Sequence, residues 1–165
     1  MQHGALAFLA YDLTDAAIAL NSGCFKLKVL SELERGILHE NIAVIHRDNG
    51  NPKLMVREMK TATENYKKTD DDYRVCVALK NLGEAEWMLG YRATALRFFR
   101  ESDLLSERLD QSKRAGVHWN LASAARRIGE KKMEIDNLMR CMKEFPEDET
   151  DKILAVDKRL SELMY

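Results

Sequence analysis

The segment NLGEAEWMLG, residues 81–90, contains two glycines with different roles. Gly90 follows the last apolar residue of a helical pattern, and glycine suits the left-handed conformation that closes many helices. Gly83 lies inside the same pattern, where glycine destabilises a helix by about 1 kcal/mol relative to alanine. We therefore expect a packing requirement at position 83, where the second helix of the pair, with its own small residue Ala95, would approach closely.

The pattern of this segment recurs along the chain. NIAVIHRDNG (41–50) and NLASAARRIG (120–129) also begin with Asn, carry a small residue two places later and end in Gly, at steps of 40 and 39 residues. Each copy continues with residues spaced i, i+4, i+7, which share one face of a helix. We call a set of equivalent positions in the three copies a column. The three columns of the second helix are Met55, Ala95 and Glu134, then Met59, Phe99 and Leu138, then Ala62, Ser102 and Cys141.

The repeat divides the chain into five segments. They are a partial repeat 1–33, in which Gly4, Ala16, Leu20 and Gly23 fit the columns, three repeats 34–71, 72–111 and 112–148, and an end segment 149–165. Gly50, Gly90 and Gly129 are predicted to form the turn between the two helices of each repeat. The predicted helices lie near 2–11, 14–31, 34–49, 52–68, 71–89, 92–109, 112–128, 131–145 and 149–164.

Composition narrows the function classes. The 26 basic and 27 acidic residues give a net charge of −1, so no general attraction to nucleic acid or to an anionic membrane is expected. Cys24, Cys76 and Cys141 are odd in number and form no C-x-x-C motif, which disfavours a disulfide framework or a zinc site. A reducing, cytoplasmic location is therefore predicted, and no signal peptide or membrane anchor is recognised.

The stretch LKNLGEAEWMLGYRATALRFFRES (79–102) resembles the tetratricopeptide repeat (TPR) family. Leu79, Leu82-Gly83, Ala95, Phe99 and Ser102 match the family positions, and Phe145-Pro146 falls where its terminal proline belongs. The long step is similar to the branch whose motif begins Asn-Leu-Gly. Departures from the pattern are His46, Glu86 and Ala125 at the tyrosine place and Glu134 at the alanine place, so the third repeat is the least regular.

The resemblance implies an all-α fold, an α-α superhelix of stacked antiparallel helix pairs with about nine helices. First helices would line its concave side. The ends of the chain fall inside first helices of the pattern, which fits either a fragment of a longer protein or a complete chain with two short capping helices.

The resemblance also implies a non-enzymatic scaffold that binds a peptide segment of a partner protein in the concave groove. The repeated Asn would grip the peptide backbone, because an amide offers both a donor and an acceptor; the alternative is an Asn bonded within its own repeat. Trp87 and Trp119 lie in the same register, where inter-repeat packing is the alternative to binding. The predicted groove residues are Asn41, Arg47, Lys80, Asn81, Glu84, Asn120, Ser123 and Arg127.

Other functions have less support in the sequence. No motif of a catalytic or nucleotide-binding site is present, so neither an enzyme nor a cofactor is predicted. His39 and His46 are two helical turns apart, about 10.5 Å, which is too far for one metal ion. Two alternatives stay open: a sensor or regulatory part of a larger signalling or transcription protein, and self-association through the end helices.

Overall fold

The computed structural model describes residues 30–164, and this part of the chain is all-helical, with consecutive helices packed in pairs. The chain divides into two compact units, Met1–Asp70 and Asp71–Tyr165. The helices are α1 (Glu32–Asp48) and α2 (Pro52–Tyr66) in the first unit and α3 (Asp72–Met88), α4 (Arg92–Ser106), α5 (Gln111–Ile128), α6 (Lys131–Glu144) and α7 (Thr150–Met164) in the second.

Each of these seven helices in residues 30–164 was expected from the sequence, with ends that differ by three residues or fewer. The predicted helix 2–11 and most of 14–31 lie outside the described residues, as do the columns placed at Gly4, Ala16, Leu20 and Gly23. Residues 30 and 31 are not helical, because Ser31 instead caps α1.

The turns within the three helix pairs share one backbone geometry. Gly50, Gly90 and Gly129 have φ angles of 67°, 84° and 78°, the left-handed region that favours glycine. The residue after each glycine donates its N–H to a carbonyl five residues earlier: Asn51 to His46, Tyr91 to Glu86 and Glu130 to Ala125. This 6→1 bond is the signature of a Schellman-type helix end, and it confirms the predicted role of the three glycines.

The first helices start at side-chain caps. Ser31 and Glu34 form a capping box on α1, and Asp71 and Asp110 accept the N–H groups of Arg74 and Lys113 at the starts of α3 and α5. Asp71 belongs to the acidic run 70–72, and its carboxylate caps the first turn of α3. Pro52 is at the first position of α2, where its missing N–H leaves no bond unmade.

In the first unit, α1 and α2 bury an apolar interface that side-chain hydrogen bonds also cross. The apolar side is formed by residues that include Ile42, Ala43, Met55 and Met59. Tyr66 packs against Gly36, where a Cβ atom would lie 2.4 Å from the tyrosine ring, and its hydroxyl donates to Glu40. The aromatic ring thus needs a glycine opposite it.

In the second unit, α3 packs against α4 and α5, α5 also packs against α4 and α6, and α6 packs against α7. One apolar cluster joins α3, α4 and α5 around Cys76, Phe99 and Leu121. A second joins α5 and α6 to one face of α7, which contributes the residues that the sequence pattern grouped together: Ile153, Val156, Leu160 and Leu163.

The requirement expected at Gly83 comes from the second helix of its pair. A Cβ atom at position 83 would lie 2.5 Å from Cε1 of Phe99, so the ring of Phe99, rather than Ala95, sets the limit on size.

Two small residues 39 positions apart, Ser102 and Cys141, make equivalent hydrogen bonds to the first helix of their own pair. Ser102 Oγ donates to the carbonyl of Cys76, and Cys141 Sγ donates to the carbonyl of Ala115.

Candidate functional site

The three repeated asparagines lie in different surroundings. Asn41 on α1 is exposed, Asn120 on α5 is half-buried, and Asn81 on α3 is buried. The Asn81 side-chain oxygen accepts a hydrogen bond from Lys80 Nζ at 2.6 Å. At position 81 the amide is therefore engaged within its own helix, the alternative that the sequence left open, whereas Asn41 and Asn120 are at least partly accessible.

Four of the eight predicted groove residues form a connected polar cluster between α3 and α5. Glu84 is at its centre, with a side chain only 7% exposed, and it pairs with Arg127 of α5. Lys80 Nζ lies 3.9 Å from Glu84 Oε1, one helical turn away, and also donates to Asn81. Because Arg127 is 54% exposed, the cluster anchors one exposed guanidinium to a buried carboxylate.

An exposed stripe runs along α5 beside this cluster. Trp119, Asn120, Ser123 and Arg127 are spaced i, i+1, i+4, i+8, which places them on one side of the helix, and each is exposed or half-buried. Trp119 is 37% exposed, so part of its aromatic surface is accessible to a ligand. The stripe combines an aromatic surface, an amide, a hydroxyl and a cation.

Arg47 is the other predicted groove residue of the first unit, and it differs from Arg127. It donates to Asp48, its neighbour in sequence, and both side chains are a little less than half exposed. Such a surface pair contributes at most about 1 kcal/mol. Trp87 of α3, by contrast, packs partly into the apolar cluster of the second unit, with Arg92 5.1 Å above its ring.

Sequence reasoning missed a second polar cluster, centred on His118 of α5. The ring is 1% exposed, and its Nδ1 lies 2.6 Å from Glu144 of α6 while its Nε2 lies 3.1 Å from Asp103 of α4. Arg140 pairs with Asp103, and Arg114 donates to Glu144 at 2.9 Å. The partners are 15 to 37 residues apart, so no local sequence pattern joins them.

Asp103 connects this cluster to the surface. Burial alone would raise the pKa of Asp103, but the hydrogen bond from His118 and the charge of Arg140 outweigh burial and lower it. The same carboxylate borders an open cavity of about 320 Å³ between α4 and α6. The cavity is lined by residues of mixed charge: Asp103, Glu130, Lys132, Met133, Asp136, Asn137 and Arg140.

The irregular Glu134 has a specific partner. It occupies the alanine place of the repeat, is buried, and receives two hydrogen bonds from Arg159 of α7, at 2.7 Å and 3.3 Å. These bonds raise the pKa of Arg159 above its ordinary value. Glu134, which departs from the repeat pattern, is thus the residue of α6 to which α7 is bonded. The third helix pair nevertheless keeps the same glycine turn as the other two.

The two histidines of α1 are packed separately. His39 Nδ1 lies 2.9 Å from Glu58. Burial alone would raise the pKa of Glu58, but hydrogen bonds from His39 and Arg57 outweigh burial and lower that pKa. His46 is buried, its Nδ1 has no hydrogen-bond partner, and burial lowers its pKa. Within residues 30–164, no group of three or more His, Cys, Asp or Glu side chains is arranged to hold a metal ion.

Comparison with known proteins yields no match: no protein-family model, no curated protein and no solved structure is similar to the chain. Among the described helices, none combines the length and the apolar character needed to cross a membrane.

Proposed function

We propose that this protein is a non-enzymatic, TPR-like scaffold that binds a peptide segment of a partner protein. The binding surface in the second unit is the exposed stripe of α5 together with the Lys80–Asn81–Glu84–Arg127 cluster. The observation that carries the proposal is the Glu84–Arg127 pair, which fixes an exposed cation beside Trp119, Asn120 and Ser123. The superhelix of stacked pairs, with the partial repeat 1–33 before α1, belongs to the same proposal.

The repeated geometry supports the family part of this proposal. Three helix pairs use the same glycine turn with the same 6→1 hydrogen bond, at steps of 40 and 39 residues. The contact between Ser102 and the Cys76 carbonyl has its counterpart at Cys141 and Ala115. Repetition of this kind is what a helical repeat protein requires, because each pair buries its apolar face against its neighbours.

The chemistry of the stripe supports the binding part. Trp and Arg are the side chains most often found at the energetic centre of protein interfaces. The half-buried amide of Asn120 can donate to a peptide carbonyl and accept from a peptide N–H at once. Because Glu84 holds Arg127 in place, less side-chain entropy is lost when a ligand binds to it.

Peptide selection tests the proposal. The full chain is used to select binders from a displayed library of random 16-residue peptides, and their affinities are measured by fluorescence anisotropy. We expect the Asn120→Ala/Arg127→Gln variant to bind the selected peptides at least about tenfold more weakly, equivalent to 1.4 kcal/mol. Lys143→Glu, an exposed charge on α6, is the matched control and should bind like the wild type.

Three results would contradict the proposal: no peptide selected above background, equal affinity of the wild type and the double variant, or an equal loss in Lys143→Glu. Circular dichroism and thermal unfolding of each variant establish that a loss of binding is not a loss of fold.

A further inference from the structure

We propose that α7 is a dimerisation helix, which packs antiparallel against α7 of a second copy of the chain. The contact surface is the side of α7 that carries Leu154, Asp157, Ser161 and Met164, which we call its open side. None of these residues belongs to the proposed peptide-binding surface, so either proposal can fail without the other.

The side of the earlier first helices that corresponds to the open side is buried. A step of 39 residues relates α5 to α7, and the corresponding residues of α5 are Ala115, His118, Ala122 and Ala125. All four are at most 2% exposed, and α6 packs on this side of α5. The corresponding residues of α3, which packs against α4, are also buried: Cys76, Leu79, Gly83 and Glu86.

On α7 the same side faces solvent. Leu154 is 66% exposed and Met164 is 65% exposed, and the two polar residues between them are exposed as well. The spacing i, i+3, i+7, i+10 places all four residues on one face of the helix. Within residues 30–164, no helix covers this face. Because it presents two large apolar side chains where the earlier pairs bury theirs, the open side is suited to packing against a further helix.

The order of residues on the open side favours a second copy of α7 as that helix. Leu154 and Met164 lie five places before and after Arg159, and Asp157 and Ser161 lie two places before and after it. In an antiparallel pair centred at Arg159, Leu154 lies against the partner's Met164, and the Ser161 hydroxyl donates to the partner's Asp157. A two-fold axis repeats both contacts, so the surface is complementary to itself.

The centre of this arrangement leaves room for close approach. Arg159 donates to Glu134 of α6, so two guanidinium groups do not meet at the two-fold axis. Ser161 holds the place of Gly83 and Ala122, the small residues against which second helices pack in the earlier pairs. Since each copy contributes one helix, we expect a small interface and a dimer that dissociates readily on dilution.

Sedimentation equilibrium of the full chain tests the proposal. We expect the average mass to rise with concentration from that of one chain to that of two and then to level off. Leu154→Glu places a charge against the partner's Met164 and should weaken dimerisation at least about tenfold. Leu104→Glu is the matched control, because Leu104 on α4 is also 66% exposed, and it should dimerise like the wild type.

Three results would overturn the proposal. They are a single chain at every concentration, a mass that keeps rising beyond two chains, and an equal loss of dimer in the two variants. A mass beyond two chains would indicate head-to-tail contacts, which do not close at two copies. Circular dichroism establishes that each variant is folded.

Engineered cysteines test the antiparallel register and cover the case in which Leu154→Glu does not fold. In a Cys24→Ser background, chains with Leu154→Cys are oxidised together with longer, tagged chains with Met164→Cys. We expect a mixed disulfide between the two kinds of chain, since a disulfide forms only when the Cα atoms are within about 7 Å. A yield of mixed disulfide no higher than that from Leu104→Cys with Met164→Cys would contradict the register.

Discussion

Gly83 and Phe99 share one packing space between α3 and α4, in which a Cβ atom on residue 83 and the phenylalanine ring cannot both fit. In the next repeat the same two places hold Ala122 and Leu138, and both are buried in one cluster. A larger second-helix side chain thus goes with a smaller first-helix residue. The glycine in the middle of α3 reflects the size of its neighbour.

Replacing Gly83 with Ala should therefore destabilise the protein. Alanine gains about 1 kcal/mol in helix propensity, but an overpacked core costs about 1–3 kcal/mol. We expect a net loss in urea denaturation. Phe99→Leu recreates the combination found at Ala122 and Leu138, so the double variant should be more stable than the sum of the two single changes.

Gly116 is the matched control for that cycle. It also lies inside a helix, but its added Cβ would be 3.4 Å from the hydroxyl oxygen of Tyr73, a contact that a small shift relieves. Gly116→Ala should leave the midpoint unchanged or raise it. Strict additivity of Gly83→Ala and Phe99→Leu would show that the two residues do not share space.

The ion pair between Glu134 and Arg159 should hold α7 on α6. Arg159→Ala leaves a buried carboxylate without its guanidinium, and breaking a buried pair on one side is more damaging than breaking an exposed one. Amide hydrogen exchange in α7 should then become faster, while α3 stays protected. Lys158→Ala, at the exposed neighbouring position, should leave the exchange of α7 unchanged. Equal exchange in the two variants would exclude this role.

His46 should make the protein less stable in mild acid. Burial lowers its pKa below the ordinary value of 6.5, an effect that Glu58 opposes and Arg57 increases. The unfolded chain therefore binds the proton more readily than the folded chain. The stability associated with a neutral His46 is complete above pH 6.5 and is lost as the pH falls through the folded pKa.

The variant His46→Phe tests this assignment, because it keeps a ring in place and removes the buried nitrogen that lacks a partner. Urea midpoints at pH 7.5 and pH 5 should differ less in the variant than in the wild type. His39→Gln, two helical turns away on α1, should retain the wild-type difference. The assignment is wrong if His46→Phe loses as much stability in acid as the wild type does.

Cys76 and Cys141 should be unreactive in the folded protein. Both are buried, and burial raises the pKa of each thiol to about 12, so very little thiolate exists at neutral pH. In a Cys24→Ser background, iodoacetamide at pH 8 should alkylate these two thiols only on the time scale of unfolding. Full alkylation within minutes, without urea, would show that the two helices open readily.

Much of this fold could be predicted from residue spacing. Glycines at 50, 90 and 129 fixed the turns because few other residues adopt a positive φ, and the i, i+4, i+7 columns placed the buried side of each helix. Glu134 appeared as an irregularity, and only the structure supplied Arg159 as its partner. Local periodicity predicts which face of a helix is buried, but it does not predict which distant side chain contacts that face.

The candidate site shows the same limit. Asn41, Asn81 and Asn120 are equivalent in the repeat, yet their exposure differs, because Lys80 turns to Asn81 and Glu84 within the packed second unit. His118 takes the place that Leu79 has in the preceding repeat, yet its partners come from two other helices. Burial of polar groups depends on tertiary neighbours, which a single sequence does not reveal.

Photo-crosslinking tests the proposed binding surface most directly. Benzoylphenylalanine is placed at Trp119 on the stripe or at Leu104, which is 66% exposed on α4. Each protein is irradiated with the peptides selected by the full chain. We expect strong covalent attachment from position 119 and little from position 104. Attachment from position 104 that equals or exceeds that from position 119 would contradict the assignment of peptide binding to the α5 stripe.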